Sequence, residues 1–519
     1  MNKKIFFIST IFVLSIFINI IKANNINVSN ISLTGRNSVL DYTLVQFDIS
    51  WDNSWRTSTY ESNWDAAWVF VKWRLKNQAT WNHATLNTTG HTAPAGSTIT
   101  TPTDGKGVFI YSNADHSQGT ITYNNAQLRW NYGVDGLLDA DSVEVCVYAI
   151  EMVYVPQGAF YIGSGGSETS PFYKYPTTTN AYLVSTEDAI TVGTATNNLY
   201  YASSTNGGDQ AGPIPAAFPK GYNAFYCMKY EITQEQYVEF LNKLTYTQQA
   251  MRTISAPNSA AGTGALSNNY RNGIDIMTPG VSATTPAVYA CNLDGDANYN
   301  ETVDGQNIAC NYISWADVAA YLDWSGLRPM TELEFEKACR GGNLSPVPNE
   351  YAWGTTGVAG SVYTLSNSGL SNEVIATNYS VTLGNAAYVT TVPVSGAING
   401  PMRVGIFAGT SGNIGRITAG ATYYGIMEMS GNVWERLVTV GNATGRSFTG
   451  THGNGILSTD GNADASTWPV ANAVGSGSRG GSWDNDALSY LRVSERNDVA
   501  YAGATREIDY SGRGVHTAP

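Results

Sequence analysis

Three short runs in the second half of the chain constrain its fold more than anything else in it. They are Gly326-Leu-Arg-Pro-Met-Thr-Glu-Leu-Glu-Phe-Glu-Lys-Ala-Cys-Arg-Gly-Gly342, Tyr424-Gly-Ile-Met-Glu-Met-Ser-Gly-Asn-Val-Trp-Glu435 and Arg479-Gly-Gly-Ser-Trp483. The first contains a short helix with both ends written into it. Thr331 and Glu334 stand at capping-box spacing, and Gly341 stops the helix. Two more helices are legible upstream. Thr233 with Gln236 repeats the capping box, after which Tyr237, Phe240, Leu241 and Leu244 share one face. The other starts near Ser314, turns Trp315, Val318, Ala319 and Leu322 inward, and stops at Gly326. Beyond Gly342 the chain is Gly-rich, which predicts short strands and long loops.

The first part of the chain reads differently. Val45-Gln-Phe-Asp-Ile-Ser-Trp51 alternates apolar and polar residues. Trp68 to Leu75 does the same, with Val69, Val71, Trp73 and Leu75 on one face. Gly, Asn, Thr and Pro clusters separate such runs, so residues 24–150 read as a β-sandwich domain. Trp51, Trp55, Trp64, Trp68, Trp73 and Trp81 crowd it; core filling is the expectation, with stacking on sugars as the alternative. A second domain, 151–519, opens on Met152-Val-Tyr-Val-Pro-Gln-Gly-Ala-Phe-Tyr-Ile-Gly163. A polar insertion follows, and the pattern returns at Phe225-Tyr-Cys-Met-Lys-Tyr-Glu-Ile-Thr233.

Lys3-Lys4, the apolar run Ile5 to Ile21 and Ala23 have the order of a secretory signal, 1–23, which leaves no membrane span once removed. A secreted, periplasmic or cell-surface location follows. A net charge of −13 argues against nucleic acid or an anionic membrane as partner. It suits calcium, which takes carboxylate and carbonyl oxygens. Of the five cysteines, Cys291 and Cys310 bracket one polar loop and are the best pair for a disulfide. The histidines are scattered and suggest no metal centre. There is no GxSxG, Walker loop or HExxH.

In their order, the three runs resemble the formylglycine-generating enzyme family, also called the sulfatase-modifying-factor family. The resemblance implies an α+β, loop-rich, C-type-lectin-like fold, here preceded by the all-β sandwich domain. The family's oxidases hold copper with two cysteines just after the RGGS(F/W) run. Counted from Trp483, those places fall on Asn485 and Tyr490, so copper is not expected. Copper(I) is soft and needs thiolates. The family's iron-dependent relatives carry an HxxxHxE set, which this chain lacks.

The resemblance also implies calcium. By position, Glu428 and Glu435 supply side-chain oxygens, and Gly431 and Val433 backbone carbonyls. A second family site places Asn385 and the carbonyl of Ala386. Separately, Asn292-Leu-Asp-Gly-Asp-Ala-Asn-Tyr-Asn-Glu-Thr-Val-Asp304 resembles a dockerin or EF-hand-type loop. Asn292, Asp294, Asp296, Asn298 and Asn300 alternate, with Asp304 one residue late and Ala297 where Gly is usual.

The segment after Trp483 mixes Tyr490 and Tyr501 with Asn485, Asn497 and Asp498, a combination suited to recognition. The expectation is a secreted, non-catalytic binding or structural module. It would be stabilised by calcium and would meet an extracellular protein, a glycan or its own copies. The alternative is a metal-dependent oxidoreductase acting on a protein or small molecule.

Overall fold

The computed structural model describes residues 25–76, 78–410, 413 and 415–519. The leader expected at 1–23 lies outside them. Among the described residues the chain is mostly strand and loop, and no helix is long and apolar enough to cross a membrane.

An eight-stranded antiparallel sheet joins the two halves of the molecule. Its order is Arg328–Pro329, Gly514–Thr517, Phe225–Met228, Val143–Val155, Asp65–Leu75, Val108–Ser112 and Ser97–Thr100, with Asn82–His83 paired on Asp65–Leu75. Strand Val143–Val155 does the joining. Its residues Val143 to Val153 pair with the whole of Asp65–Leu75, from Asp65 opposite Val153 to Leu75 opposite Val143. Its end, Met152 to Val155, also pairs with Phe225–Met228 on the other side. The boundary expected at 150/151 therefore falls inside one strand, and the two halves share a sheet.

Strand Asp65–Leu75 shows why they share it. Ala67, Val69, Val71 and Trp73 face a three-stranded sheet of Asn27–Asn37, Tyr42–Arg56 and His116–Trp130. There they pack with Val45, Phe47, Ile49, Trp51, Leu128 and Trp130, as the alternation implied. The opposite face is apolar too. Ala66, Trp68 and Phe70 join a second core with Phe109, Tyr226, Phe240 and Trp324. A strand covered on both faces needs apolar residues at successive positions, and this one has them. The side chain of Trp68 is fully buried, and its Nε1 donates to the Ser325 carbonyl at 2.8 Å.

The helices follow their caps. α1 (Gln234–Leu241), α3 (Trp315–Trp324) and α4 (Glu332–Arg340) start at Thr233, Ser314 and Thr331, each closing a capping box. Between α1 and α3 lies α2 (Tyr246–Arg252), whose Thr245/Gln248 box was equally readable and was missed. A further sheet places Trp434–Val438 between Ser476–Arg479, antiparallel, and Tyr510–Ser511, parallel.

Two side-chain expectations are settled by this packing. Trp51, Trp68 and Trp73 are buried, Trp64 stacks on Tyr154 with ring centres 3.9 Å apart, and Trp55 is half-buried in a cleft. Cys291 and Cys310 do not form the expected disulfide; both are free thiols buried in the same core.

Trp68 bridges the shared sheet and the end of α3. Trp68→Ala is expected to cost about 3–5 kcal/mol, the range for a large buried aromatic. Chemical denaturation of the full chain measures it. A loss under 1 kcal/mol would mean that this contact does not hold the two halves together.

Candidate functional site

The three sequence runs converge. Strands Trp434–Val438 and Ser476–Arg479 pair with Glu435 opposite Arg479, which brings the second and third runs side by side. The Gly431 N–H donates to the Gly480 carbonyl at 2.8 Å. Gly431 has φ +92°, and a Cβ there would stand 2.4 Å from the Ala387 carbonyl oxygen, so only glycine fits. The first run lies beneath. Glu336 of α4 accepts from Arg479 Nη2 at 2.8 Å, from Arg340 Nη1 and Ser494 Oγ at 3.0 Å, and from the Gly163 N–H at 2.7 Å. Glu332 accepts from Arg496 Nε at 2.7 Å, Thr439 Oγ1 at 3.0 Å and the Val440 N–H at 2.8 Å. Arg479 Nη1 reaches the carbonyls of Val493 and Glu495 at 2.8 and 2.6 Å. Glu332, Glu336, Arg479 and Arg496 are all fully buried. Burial alone would raise the Glu336 carboxyl, but Arg479 and Arg340 hold it below the ordinary glutamate value of 4.5.

A second buried acidic group adjoins this one. Glu435 Oε1 accepts from Arg513 Nε at 2.6 Å, and Arg513 also donates to the carbonyls of Met228, Lys229 and Met427. Glu428, in the left-handed region at φ +56°, accepts the Gly405 N–H on Oε1 at 2.8 Å. Glu231 accepts from Asn432 Nδ2 at 2.5 Å and from the Val433 N–H at 3.1 Å. The sequence reading missed Glu231; its place beside a family-like strand was the only signal. Burial pushes all three carboxyls up, Glu428 to about 7, against the pull of Arg513. Glu428 Oε2 and Glu435 Oε2 are buried without a hydrogen-bond partner. Such atoms are costly unless something positive meets them.

The other expected ligands fare differently. Asn385 Oδ1 accepts from Tyr363 Oη at 3.1 Å and from the Ser380 N–H at 2.8 Å, which occupies both of its lone pairs. The Ala386 carbonyl accepts from Thr391 Oγ1 at 2.8 Å. These bonds tie the pair into the loop framework. In the 292–304 loop the asparagines are structural. Asn292 donates to Asp275 at 2.7 Å and accepts the Ala297 N–H at 3.1 Å, Asn300 Oδ1 takes the Cys291 N–H at 3.0 Å, and Asn298 donates to Glu301. The carboxylates that gather are Asp294, Asp296 and Glu301, the last unforeseen.

At the family's copper places, Asn485 Oδ1 accepts from the Ser482 N–H at 2.6 Å and from Ser482 Oγ at 3.2 Å. Tyr490 packs edge-on against Trp434, ring centres 5.7 Å apart. The negative charges of Asp498, Asp486 and Glu495 reach Tyr490, whose hydroxyl burial already raises. Asp498 accepts from Asn206 at 2.9 Å and Asn497 at 3.2 Å, and Tyr501 meets Tyr510 edge-on at 6.4 Å. Asn485, Tyr490, Asn497, Asp498 and Tyr501 are each partly exposed, so they lie along one accessible segment. Clefts of about 460 and 540 Å³ open elsewhere, the first beside Trp55, Lys229 and Tyr424, the second around Arg36 and Tyr132.

Residues 140–508 match the model of the sulfatase-modifying factor enzyme 1-like domain. Over 120 residues, 23% of this chain, the sequence is 27% identical to the formylglycine-generating enzyme of Bos taurus. It is equally similar to that of Mus musculus, 27% over 120 residues. The match spans about a third of each relative's length, 31% and 32%.

The buried ion group makes a pH-dependent claim. A carboxyl held below its ordinary value contributes stability above about pH 4.5 and loses it as pH falls through the folded-state value. Glu336→Gln is therefore expected to flatten the acid limb of the stability–pH curve. Arg479→Met, which removes one of the two guanidinium partners of each of Glu336 and Glu332, is expected to cost about 3–5 kcal/mol at neutral pH. Urea denaturation across pH 3–7 reads both; an acid limb identical in wild type and Glu336→Gln refutes the assignment.

Proposed function

The chain belongs to the sulfatase-modifying factor enzyme 1-like family, and from that membership we propose that it is a secreted, non-catalytic member of it. In this reading it is a calcium-stabilised extracellular binding module with a C-type-lectin-like fold behind an N-terminal β-sandwich. One observation carries the proposal. Where a copper-holding relative needs two thiolates, this chain has an asparagine tied to its own turn at Ser482 and a tyrosine packed on Trp434. Neither side chain fits a soft copper ion.

The freed segment suits recognition. Tyr490 and Tyr501 offer large, rigid contact area, and Asn485, Asn497 and Asp498 offer hydrogen bonds. Arg479 fixes its backbone through Val493 and Glu495, which lowers the ordering cost of binding. The partner is an extracellular protein or a glycan, self-association included; the acidic chain disfavours nucleic acid. Calcium fits the buried acids. Glu428 and Glu435 would hold it through their unpartnered oxygens, with the Gly431 and Val433 carbonyls completing the set. The ion would add positive charge to that of Arg513, which pairs with Glu435 through the other oxygen.

A glycan array and sedimentation of the purified full chain test the binding role. Tyr490→Ala/Tyr501→Ala is expected to abolish whatever wild type binds. Binding that survives this change and is lost in Trp55→Ala would move the site to the cleft of the N-terminal half. The same preparation, given copper(I), oxygen and a sulfatase-type cysteine peptide, is expected to leave the peptide mass unchanged. Aldehyde formation would establish the oxidoreductase reading in its place.

Calcium makes the next prediction. An ion at a hundred times its dissociation constant adds about 2.7 kcal/mol. Chelation should lower the melting temperature, and Glu428→Gln, which keeps the acceptor for Gly405, should shrink that shift. An undiminished shift in Glu428→Gln rules this site out.

A further inference from the structure

We propose that Asp104, His452 and His516 form a zinc site that joins the two halves of the molecule. The histidines are scattered along the sequence, but the fold stacks two of them. The rings of His452 and His516 have centres 3.7 Å apart and planes 8° from parallel. Asp104 Oδ2 lies 3.9 Å from His516 Nε2 and 4.0 Å from His452 Nδ1. The three atoms are all within 4.8 Å of one another. Zinc takes imidazole nitrogen and carboxylate oxygen at roughly 2.0–2.2 Å, so ligand atoms in a tetrahedral site stand roughly 3.3–3.5 Å apart. Asp104, an exposed loop side chain, closes the difference with a shift of about half an ångström.

His516 supplies the independent observation. Its Nδ1 stands 2.6 Å from the Thr517 carbonyl, which can only accept, so Nδ1 holds the ring proton and Nε2 is left with a lone pair. That Nε2 is buried with no hydrogen-bond partner. The residue is 1% exposed and packs on Trp68 and Phe109, with ring centres 4.7 and 5.4 Å away, and burial keeps the imidazole neutral. Asp104 leaves Oδ2 available, because its Oδ1 accepts the Lys106 N–H at 3.0 Å. A buried lone pair and a carboxylate oxygen thus face each other, an arrangement that favours a cation between them. A ring N–H given to a backbone carbonyl is also the usual support behind a zinc-binding histidine.

His452 must move a proton to take part. Its Nε2 accepts the Thr517 N–H at 3.0 Å, which puts the proton of the neutral ring on Nδ1. Ligation through Nδ1 shifts that proton to Nε2 and gives up the Thr517 bond, a small loss beside the affinity of a structural zinc site. Arg328, whose charge reaches both rings, is itself held by the two carboxylate oxygens of Glu334 at 2.9 and 2.6 Å. Two imidazoles with one carboxylate suit zinc, whereas calcium takes oxygen ligands. The ion would pin the Asp104 loop of the first half to strand Gly514–Thr517 of the shared sheet. Nothing in this depends on the Glu428–Glu435 site.

Calorimetric titration of the metal-free full chain with zinc chloride, in excess calcium chloride, tests it. Wild type is expected to take up one equivalent of zinc and to melt at a higher temperature with it. Asp104→Asn alters an exposed side chain and keeps the acceptor for Lys106, so it leaves the fold intact. It is expected to bind zinc at least tenfold more weakly and to lose the rise in melting temperature. His452→Phe, which keeps a ring stacked on His516, should weaken zinc by at least as much. Glu428→Gln should bind zinc as wild type does. No zinc uptake by the folded wild type, or wild-type affinity in either Asp104→Asn or His452→Phe, would overturn the proposal. Zinc uptake that is lost in Glu428→Gln would overturn it too, by placing the ion among the buried acids.

Discussion

Arg479 is a guanidinium with no exposed surface, and much of the second half is arranged to satisfy it. A buried arginine is tolerable only when its donors meet acceptors in good geometry. Two donors go to the Val493 and Glu495 carbonyls and one to Glu336, whose remaining capacity is filled by Arg340, Ser494 and Gly163. Glu336 and Arg479 are 143 residues apart in the chain, so the contact closes only when α4, the central strand Trp434–Val438 and its neighbour are all in place. The same logic operates at Arg513, which takes Glu435 and three carbonyls from two separate segments. Buried charge of this kind acts as a registry device: a wrong pairing would leave an ion unmet in the interior.

Local signals in the sequence were read well, and those that depend on a distant partner were not. Capping boxes at Thr233, Ser314 and Thr331 are contained within four residues, and all three helices start there. α2 was missed although Thr245 and Gln248 carry the same signal, because its buried face is narrow: only Gln249 and Arg252. The alternation in Asp65–Leu75 gave one face correctly. The second face, Trp68 and Phe70, finds its cover in α1 and α3 far along the chain. The domain boundary failed to coincide with a break for the same reason, since strand Val143–Val155 continues past it into a new partner.

At the site, it is the resemblance to the family that pointed to Glu428 and Glu435. Glu231 did not stand out, because a lone glutamate in the connection between strand Phe225–Met228 and α1 carries no pattern. The asparagines of the 292–304 loop carry two meanings: alternate oxygen-bearing residues suggest ligands, and amides are equally good at tying a loop to itself. Asn385 shows the same ambiguity, its amide oxygen tied to Tyr363 and Ser380.

Strand Val143–Val155 also determines how the molecule bears load. Its ladder to Asp65–Leu75 runs antiparallel from Val143 to Val153, the full length of the partner strand. A pull that separates the N-terminal half from the rest along the strand direction must shear many hydrogen bonds at once and cannot unzip them in turn. A cut at residue 150 would divide that strand, strip Glu151 to Val153 of their partners in Asp65–Leu75 and bare a sheet edge, the kind of surface that invites pairing with other chains. For a protein held at one end by a surface and at the other by a partner, the shared strand makes the two halves a single mechanical body.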